Sequence, residues 1–167
     1  FSGYDAALAG SPHLFEDYAV GEKIDHVDGV TVEEAEHQLA TRLYQNTAKV
    51  HFDALAQAGS RFGKRLIYGG VTISLARALA FNGLGNGAYL LAINGGRHVN
   101  PLFAGDTLYA WSEVLAAEDL GEAGALRLRL VAAKNRACAD FPDKAGGEYD
   151  PAIVLDFDYW VAIPKGG

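Results

Sequence analysis

Residues Leu66–Leu84 read LIYGGVTISLARALAFNGL, and no other stretch restricts the fold as much. Val71, Ile73, Leu75, Ala76, Ala78, Leu79, Ala80, Phe81 and Leu84 leave no wide polar face. A helix that is apolar nearly all round is a buried helix. At about 20 Å it is too short to span a bilayer, and Arg77 in its middle argues against lipid. The pattern therefore predicts a helix wrapped by a sheet. Gly69-Gly70 at its start permits another backbone or a ligand to come close. Free N–H groups at such a terminus can receive a developing negative charge. A tight strand-to-helix turn accounts for the two glycines equally well, so both readings stand at this point.

The flanks tell what wraps the helix. Residues 1–14 are rich in Gly, Ala and Ser and read as an arm or linker. Lys23–Val30 reads as a short strand. Thr31 and Glu34 have the spacing of a capping box, opening a helix with Val32, Ala35, Leu39 and Leu43 on its inner side. Tyr44–Asp53 is polar and irregular, a short helix follows over Phe52–Ala58, and Ser60–Lys64 is a loop made basic by Arg61, Lys64 and Arg65. The central helix ends in the glycine-rich Gly83–Gly87. Beyond it the period becomes two. Strands are predicted over Tyr89–Asn94, Thr107–Leu115, Ala125–Val131 and Ile153–Ile163, with Gly95-Gly96 marking a bulge or close approach. In ALRLRLV, Leu126, Leu128 and Leu130 point in while Arg127 and Arg129 point out. Lys134–Asp150 reads as a long polar loop. Helices early, one buried helix, then antiparallel strands make an α+β domain with its sheet curled around a helix.

The chain has 167 residues, 50% hydrophobic and 21% charged, which suits one globular domain. Its net charge of −7 argues against nucleic acid, whose binders need a basic face. Cys138 is the single cysteine, so no intrachain disulfide can form and a reducing, cytoplasmic location is expected. No basic-then-apolar leader is legible. A chain that starts Phe1-Ser2-Gly3 and has no methionine is expected to be a processed product or part of a longer protein.

Five histidines are present: His13, His26, His37, His51 and His98. None has metal-site spacing, so no metal is expected. Cys138 has no nucleophile signature, and Gly83–Gly87 lacks the context of a dinucleotide loop. His51 stands out in a polar stretch, with Asn46 before it and Asp53 after it. Imidazole can take a proton from water or return one near neutral pH. A helix cap or a satisfied core slot is the plainer role. His37, beside Glu36 inside a helix, reads as structural, and His26 and His98 receive no role.

The lead-in FEDYAVGE, the segments VTVEEAEH and YQNTAKVHFDALA, the helix opening LIYGGVTISLARAL and the segment RHVNPLFAGDTL follow in order from Phe15 onward. Together they resemble the MaoC-like hydratases of the hotdog fold, which include (R)-specific enoyl-CoA hydratases. TVEEAEHQLATRLYQNTAKVHFD, RLIYGG, NPLFAGDTLYAWSEV and LDFDYW are similar to the second half of a tandem member built from two hotdog units. The resemblance implies one hotdog domain over 15–165. The family motif Gly-Asp-x-Asn-Pro-(aliphatic)-His falls on Gln45–His51, so the catalytic His is retained as His51 and the catalytic Asp is replaced by Asn46. The usual His-Gly opening the central helix is here Gly69-Gly70. An amide can orient a water but cannot deprotonate it, which moves the base role to His51.

The implied activity is reversible hydration of an enoyl-CoA thioester, with mesaconyl-CoA, whose acyl group carries its own carboxylate, as substrate. The catalytic set is then His51 as acid and base, Asn46 holding the water and the Gly70 N–H binding the thioester oxygen. Lys49, Arg42, Tyr44, Tyr68, Gly69 and Arg97 are candidates to contact the acyl group, and Arg61, Lys64 and Arg65 to meet CoA phosphates. No cofactor beyond the substrate's coenzyme A is implied. The expected partner is a second hotdog unit, as a homodimer or a second half, and neither nucleic acid nor membrane. Two other readings stand beside this one: a non-catalytic acyl-CoA-binding half, and a hotdog thioesterase.

Overall fold

The computed structural model describes residues 1, 3–87 and 89–166; Ser2, Ala88 and Gly167 lie outside it. In chain order its elements are α1 (Ala6–Ala9), β1 (Lys23–Asp25), β2 (Val30–Thr31), α2 (Glu34–Leu43), α3 (Lys49–Phe52), α4 (Ala54–Ala58), α5 (Gly69–Leu79), α6 (Phe81–Leu84), β3 (Tyr89–His98), β4 (Thr107–Asp119), β5 (Ala123–Lys134), β6 (Lys144–Ala145), β7 (Glu148–Tyr149) and β8 (Ile153–Pro164). The main sheet is antiparallel, in the order β1-β4-β5-β8-β3, with β2 also on β4. It curls around α5, which packs on β4, β5 and β8. This is the α+β hotdog architecture that the resemblance implies.

Alternation builds the concave face. Leu126, Leu128 and Leu130 of β5 and Leu155, Phe157, Tyr159 and Val161 of β8 are buried in one cluster with Val71, Ala76 and Leu79 of α5. The outward charges of the same strands pair across the sheet. Arg127 chelates Asp158 at 3.0 and 2.6 Å, and Arg129 is shared between Asp156 and Asp143.

Several local expectations are corrected. The carboxylate that reaches back at the start of α2 is Glu36, accepting from the Glu33 amide at 2.8 Å, so the reciprocal pair lies two residues later than Thr31–Glu34. Leu39 and Leu43 of α2 are 61% and 66% exposed, whereas His37 and Thr41 are buried. The inward stripe thus carries polar groups that bond to the next segment, a demand that hydrophobic periodicity does not register. The central helix is not buried all round: Ser74 and Ala78 face away from the sheet and are exposed. It also ends earlier than Gly83, at Leu79, and the chain turns again at Asn82 and Gly83, where a positive φ of 98° and the approach of Ile24 favour glycine. Within Lys134–Asp150 the β6–β7 hairpin forms, and Phe141 and Tyr149 cover a second cluster around Trp111. Trp111 Nε1 donates to the Pro142 carbonyl at 3.0 Å.

The segment 3–14 is tied down through Asn86, which accepts from the Tyr4 hydroxyl and donates to the Ser11 and His13 carbonyls. Phe1 packs edge to face on Tyr89, at 5.8 Å between ring centroids, at the start of the edge strand β3. That strand is exposed along its length, with Tyr89, Leu90, Leu91 and Ile93 open to solvent.

Candidate active site

Three elements converge at the N-terminal end of α5. The first is α3, which presents His51. Its Nδ1–H donates to the Leu66 carbonyl at 3.1 Å, an assignment made from the partner, which leaves Nε2 as the nitrogen not engaged with Leu66. The His51 carbonyl accepts from His37 Nε2 at 2.9 Å and from Gln38 Nε2 at 2.8 Å. With Nε2 donating, His37 Nδ1 accepts from the Tyr68 amide at 3.1 Å. His37 is fully buried, and desolvation holds its pKa below the ordinary imidazole value. A neutral ring therefore ties α2 to the backbone of His51 and to the residue that caps α5.

The second element is the start of α5. Its first backbone bonds run from Val71 and Thr72 to the Tyr68 carbonyl. The amides of Gly69 and Gly70, ahead of them, meet no acceptor among the described residues. They form the positive end of the helix. The glycines also make room for two rings. A Cβ at Gly69 would sit 2.5 Å from His98 Nε2, and one at Gly70 would sit 2.9 Å from the Tyr68 ring.

The third element is the end of β3, which brings His98 over Gly69. Between them opens a cavity of about 330 Å³, lined by His51, Gly69, Thr72, His98, Asn100 and Arg61 among others, with an apolar wall that includes Phe62 and Leu102. Desolvation, and then the proximity of His51, hold the His98 pKa below its ordinary value.

Of the residues singled out in the sequence, His51, Gly69 and Arg61 line this cavity, and Gly70 and Tyr68 stand beside it, the Tyr68 ring centroid 5.8 Å from that of His51. Asn46 is placed elsewhere. Its Oδ1 accepts from the Ala48 amide at 2.9 Å, closing the turn before α3, and it lines a separate depression with Arg42, Gln45 and Phe52. Tyr44 and Lys49 are exposed on that side. Arg97 lies on the exposed edge strand, opposite Asp156. Lys64 lies over the Phe103 ring at 4.3 Å and Arg61 over Phe62 at 4.3 Å, and the two rings meet edge to face at 5.6 Å. Arg65 is held away from the cavity by Glu34 and the Phe52 carbonyl, so it acts as a clamp between α2 and the segment before α5. His98 carried no local sequence signal: only the strand register and the missing Cβ of Gly69 bring it to the site.

Cys138 is buried and its thiol is pushed up to about 12 by desolvation, which leaves no thiolate nucleophile near neutral pH. Among the described residues no group of three or more His, Cys, Asp and Glu could hold a metal ion. No helix there is long and apolar enough to cross a membrane.

Comparison with known proteins gives a consistent picture. Residues 16–134 match the model of the MaoC like domain. The chain is 61% identical to the beta-methylmalyl-CoA dehydratase of Chloroflexus aurantiacus, over 99% of its own length and 48% of that protein. It is 58% identical to the mesaconyl-CoA hydratase of Cereibacter sphaeroides, again over 99% of the chain and 48% of that protein. The chain thus spans about half the length of the curated relatives it matches. A crystal structure of a MaoC domain protein dehydratase from Chloroflexus aurantiacus superposes with a TM-score of 0.95 at 60% identity, covering 99% of this chain and 48% of that one.

Proposed function

This chain belongs to the MaoC-like domain family, and on that premise we propose that it adds water reversibly to an enoyl-CoA thioester, interconverting mesaconyl-CoA and β-methylmalyl-CoA. The observation that carries the reading is the placement of His51. Its ring is oriented by the Leu66 carbonyl and lines the same cavity as the open amides of the α5 N-terminus.

Attack of water at C3 drives charge onto the thioester oxygen. In this reading that oxygen lies against the Gly69 and Gly70 amides, where each donor contributes roughly 3 kcal/mol to the transition state. His51 handles protons, an effect of about 10²–10⁴-fold. Asn46, engaged with Ala48 in a separate depression, orders the turn that presents His51 and does not reach the reacting atoms. Arg61 and Lys64, each over an aromatic ring at the mouth, suit the CoA phosphates, and Arg65 is withdrawn from that role. Arg42 lines the depression of Asn46, Lys49 is exposed and Arg97 stands on the edge strand, so none of the three lines the cavity that takes the acyl group in this reading. Beyond the thioester's own coenzyme A the reaction needs no cofactor.

We propose further that 15–165 is one hotdog unit and that β3 docks a second. The strand offers unpaired backbone groups and four large exposed apolar side chains, and the relatives are about twice as long. The half-length match also favours a second reading, in which this unit shapes an acyl-CoA tunnel while its partner supplies catalysis.

The deciding assay follows loss of enoyl-thioester absorbance from mesaconyl-CoA, with a thiol reagent present to detect free CoA. Loss without thiol, reduced at least 10²-fold by His51→Gln, is expected from the chain paired with its second unit. Thiol release at the same rate would mean a thioesterase. Unchanged turnover in His51→Gln would assign catalysis to the partner.

A further inference from the structure

Adding water across a double bond moves two protons: one leaves the water and one arrives at the neighbouring carbon. The cavity's ionisable residues are only His51, His98 and Arg61, with no carboxylate among them. A guanidinium keeps its proton in any accessible pH range, so Arg61 serves neither step. The Asn100 amide is spent on the Pro151 and Ile153 carbonyls. Asn46, at the position where the family motif has its acid, lies in another depression and could not ionise in any case.

We propose that His98 is a second catalytic residue, the base that takes the proton of the attacking water, while His51 delivers the proton to the adjacent carbon. This rests on the hydration reading above. His98 ends β3 opposite Leu155 of β8, which fixes its backbone at the cavity rim. Its ring reaches the helix start because Gly69 has no Cβ there. Neither ring nitrogen has a hydrogen-bond partner among the described residues, which leaves a lone pair for water.

The division of labour follows from the surroundings. The positive end of α5 beneath His98 disfavours an imidazolium there, as do desolvation and the proximity of His51. His98 is therefore the neutral member. His51 has the Leu66 carbonyl at Nδ1, so Nε2 is its nitrogen left for the reacting atoms, and the acid role requires a proton there as well. In the forward step a water O–H bond breaks to His98, the C3–O bond forms and the π pair moves toward the thioester carbonyl. Collapse of that enolate takes the proton from His51 Nε2 to make C2–H. His98 has gained one proton and His51 has lost one, and exchange with solvent restores the pair. Dehydration runs the same transfers backwards.

The experiment combines pH–rate profiles with ¹⁵N imidazole spectra, on the chain paired with its second unit. His98→Gln is expected to lower kcat by about 10²–10⁴-fold with KM within about threefold, and to remove one limb of the profile. His98→Asn serves if the glutamine variant is not folded by circular dichroism. In the spectra, His51→Gln is expected to raise the titration midpoint of His98, because a like-charged neighbour has gone. kcat within threefold of wild type, or both limbs retained, would overturn the assignment, as would two histidines that titrate independently. Absence of any wild-type turnover of enoyl-CoA would instead sink the hydration reading, and the spectra would still decide whether the two rings sense each other's charge.

Discussion

Replacing His37 with Phe tests how the site is held together. The substitution keeps a ring of similar shape and removes both nitrogens. In the wild-type chain Nδ1 accepts from the Tyr68 amide at 3.1 Å and Nε2 donates to the His51 carbonyl at 2.9 Å. The two losses are unequal. Gln38 still bonds the His51 carbonyl, so that side costs about 0.5–1.5 kcal/mol. The Tyr68 amide is left without its acceptor, at about 1–3 kcal/mol. The sum, about 1.5–4.5 kcal/mol, should appear in urea unfolding as a lower midpoint at unchanged m-value. A pH signature separates this from a packing fault. The folded His37 pKa lies below the unfolded value of about 6.5, so its contribution is complete above pH 6.5. As pH falls further, the unfolded chain binds a proton that the native chain refuses. Stability then drops by at most about 1.4 kcal/mol per pH unit until the folded pKa is reached. His37→Phe should lose that slope and keep the similar one from His26, also buried with a lowered pKa. A stability loss under 1 kcal/mol, or an unchanged slope below pH 6.5, would refute the reasoning.

Gly69→Ala places a methyl 2.5 Å from His98 Nε2, so the ring must shift from its place over the helix start. It should cost 10-fold or more in kcat with little change in the urea midpoint, and a large loss of stability with normal kcat would count against the role of His98. Arg129→Met strands Asp143 and Asp156 without their shared cation and is expected to destabilise by about 3 kcal/mol in urea unfolding. The Asp143 carboxyl is held below its ordinary value, first by the bond from Arg129, so that contribution is complete above about pH 4 and lost as pH falls through the depressed pKa. The acid limb of stability should therefore flatten in Arg129→Met. Ile93→Lys, on the exposed edge strand, should shift the mass seen by light scattering toward single units, and an unchanged mass would place the pairing surface elsewhere.

The strands were legible because their two faces differ in chemistry. Leu126, Leu128 and Leu130 alternate with Arg127 and Arg129, and no helix satisfies that pattern. The inner stripe of α2 misled for the converse reason. Its buried positions are His37 and Thr41, which look like surface residues until the bonds of His37 to His51 and Tyr68, and of the Thr41 hydroxyl to the His37 carbonyl, are seen. Exposure of Ser74 and Ala78 was equally invisible, since apolar composition does not say which side of a helix the sheet reaches. At the site, His51 and the paired glycines could be read from local chemistry and from the resemblance. His98 could not, because 47 residues of chain separate it from His51 and only the β3–β8 register closes that gap.

The position of His98 also joins catalysis to pairing. It is the last residue of β3, the one long strand whose outer edge is open, and its ring lines the cavity of His51 and Gly69. A second unit seated along Tyr89–Ile93 would run past this end of the strand. It would exclude water from the His98 side of the cavity, and every electrostatic interaction there would strengthen as the local dielectric falls. Removing water disfavours an imidazolium, so His98 becomes more firmly the neutral base, while the Leu66 carbonyl continues to orient the His51 ring. The helix amides gain in the same way, since unscreened donors stabilise a thioester oxyanion more strongly. The surface that makes an isolated unit sticky is thus the surface whose covering sharpens the proton inequality on which the reaction depends. A unit with an intact fold and an open β3 edge should accordingly be a poor catalyst, for an electrostatic reason and not because a residue is missing.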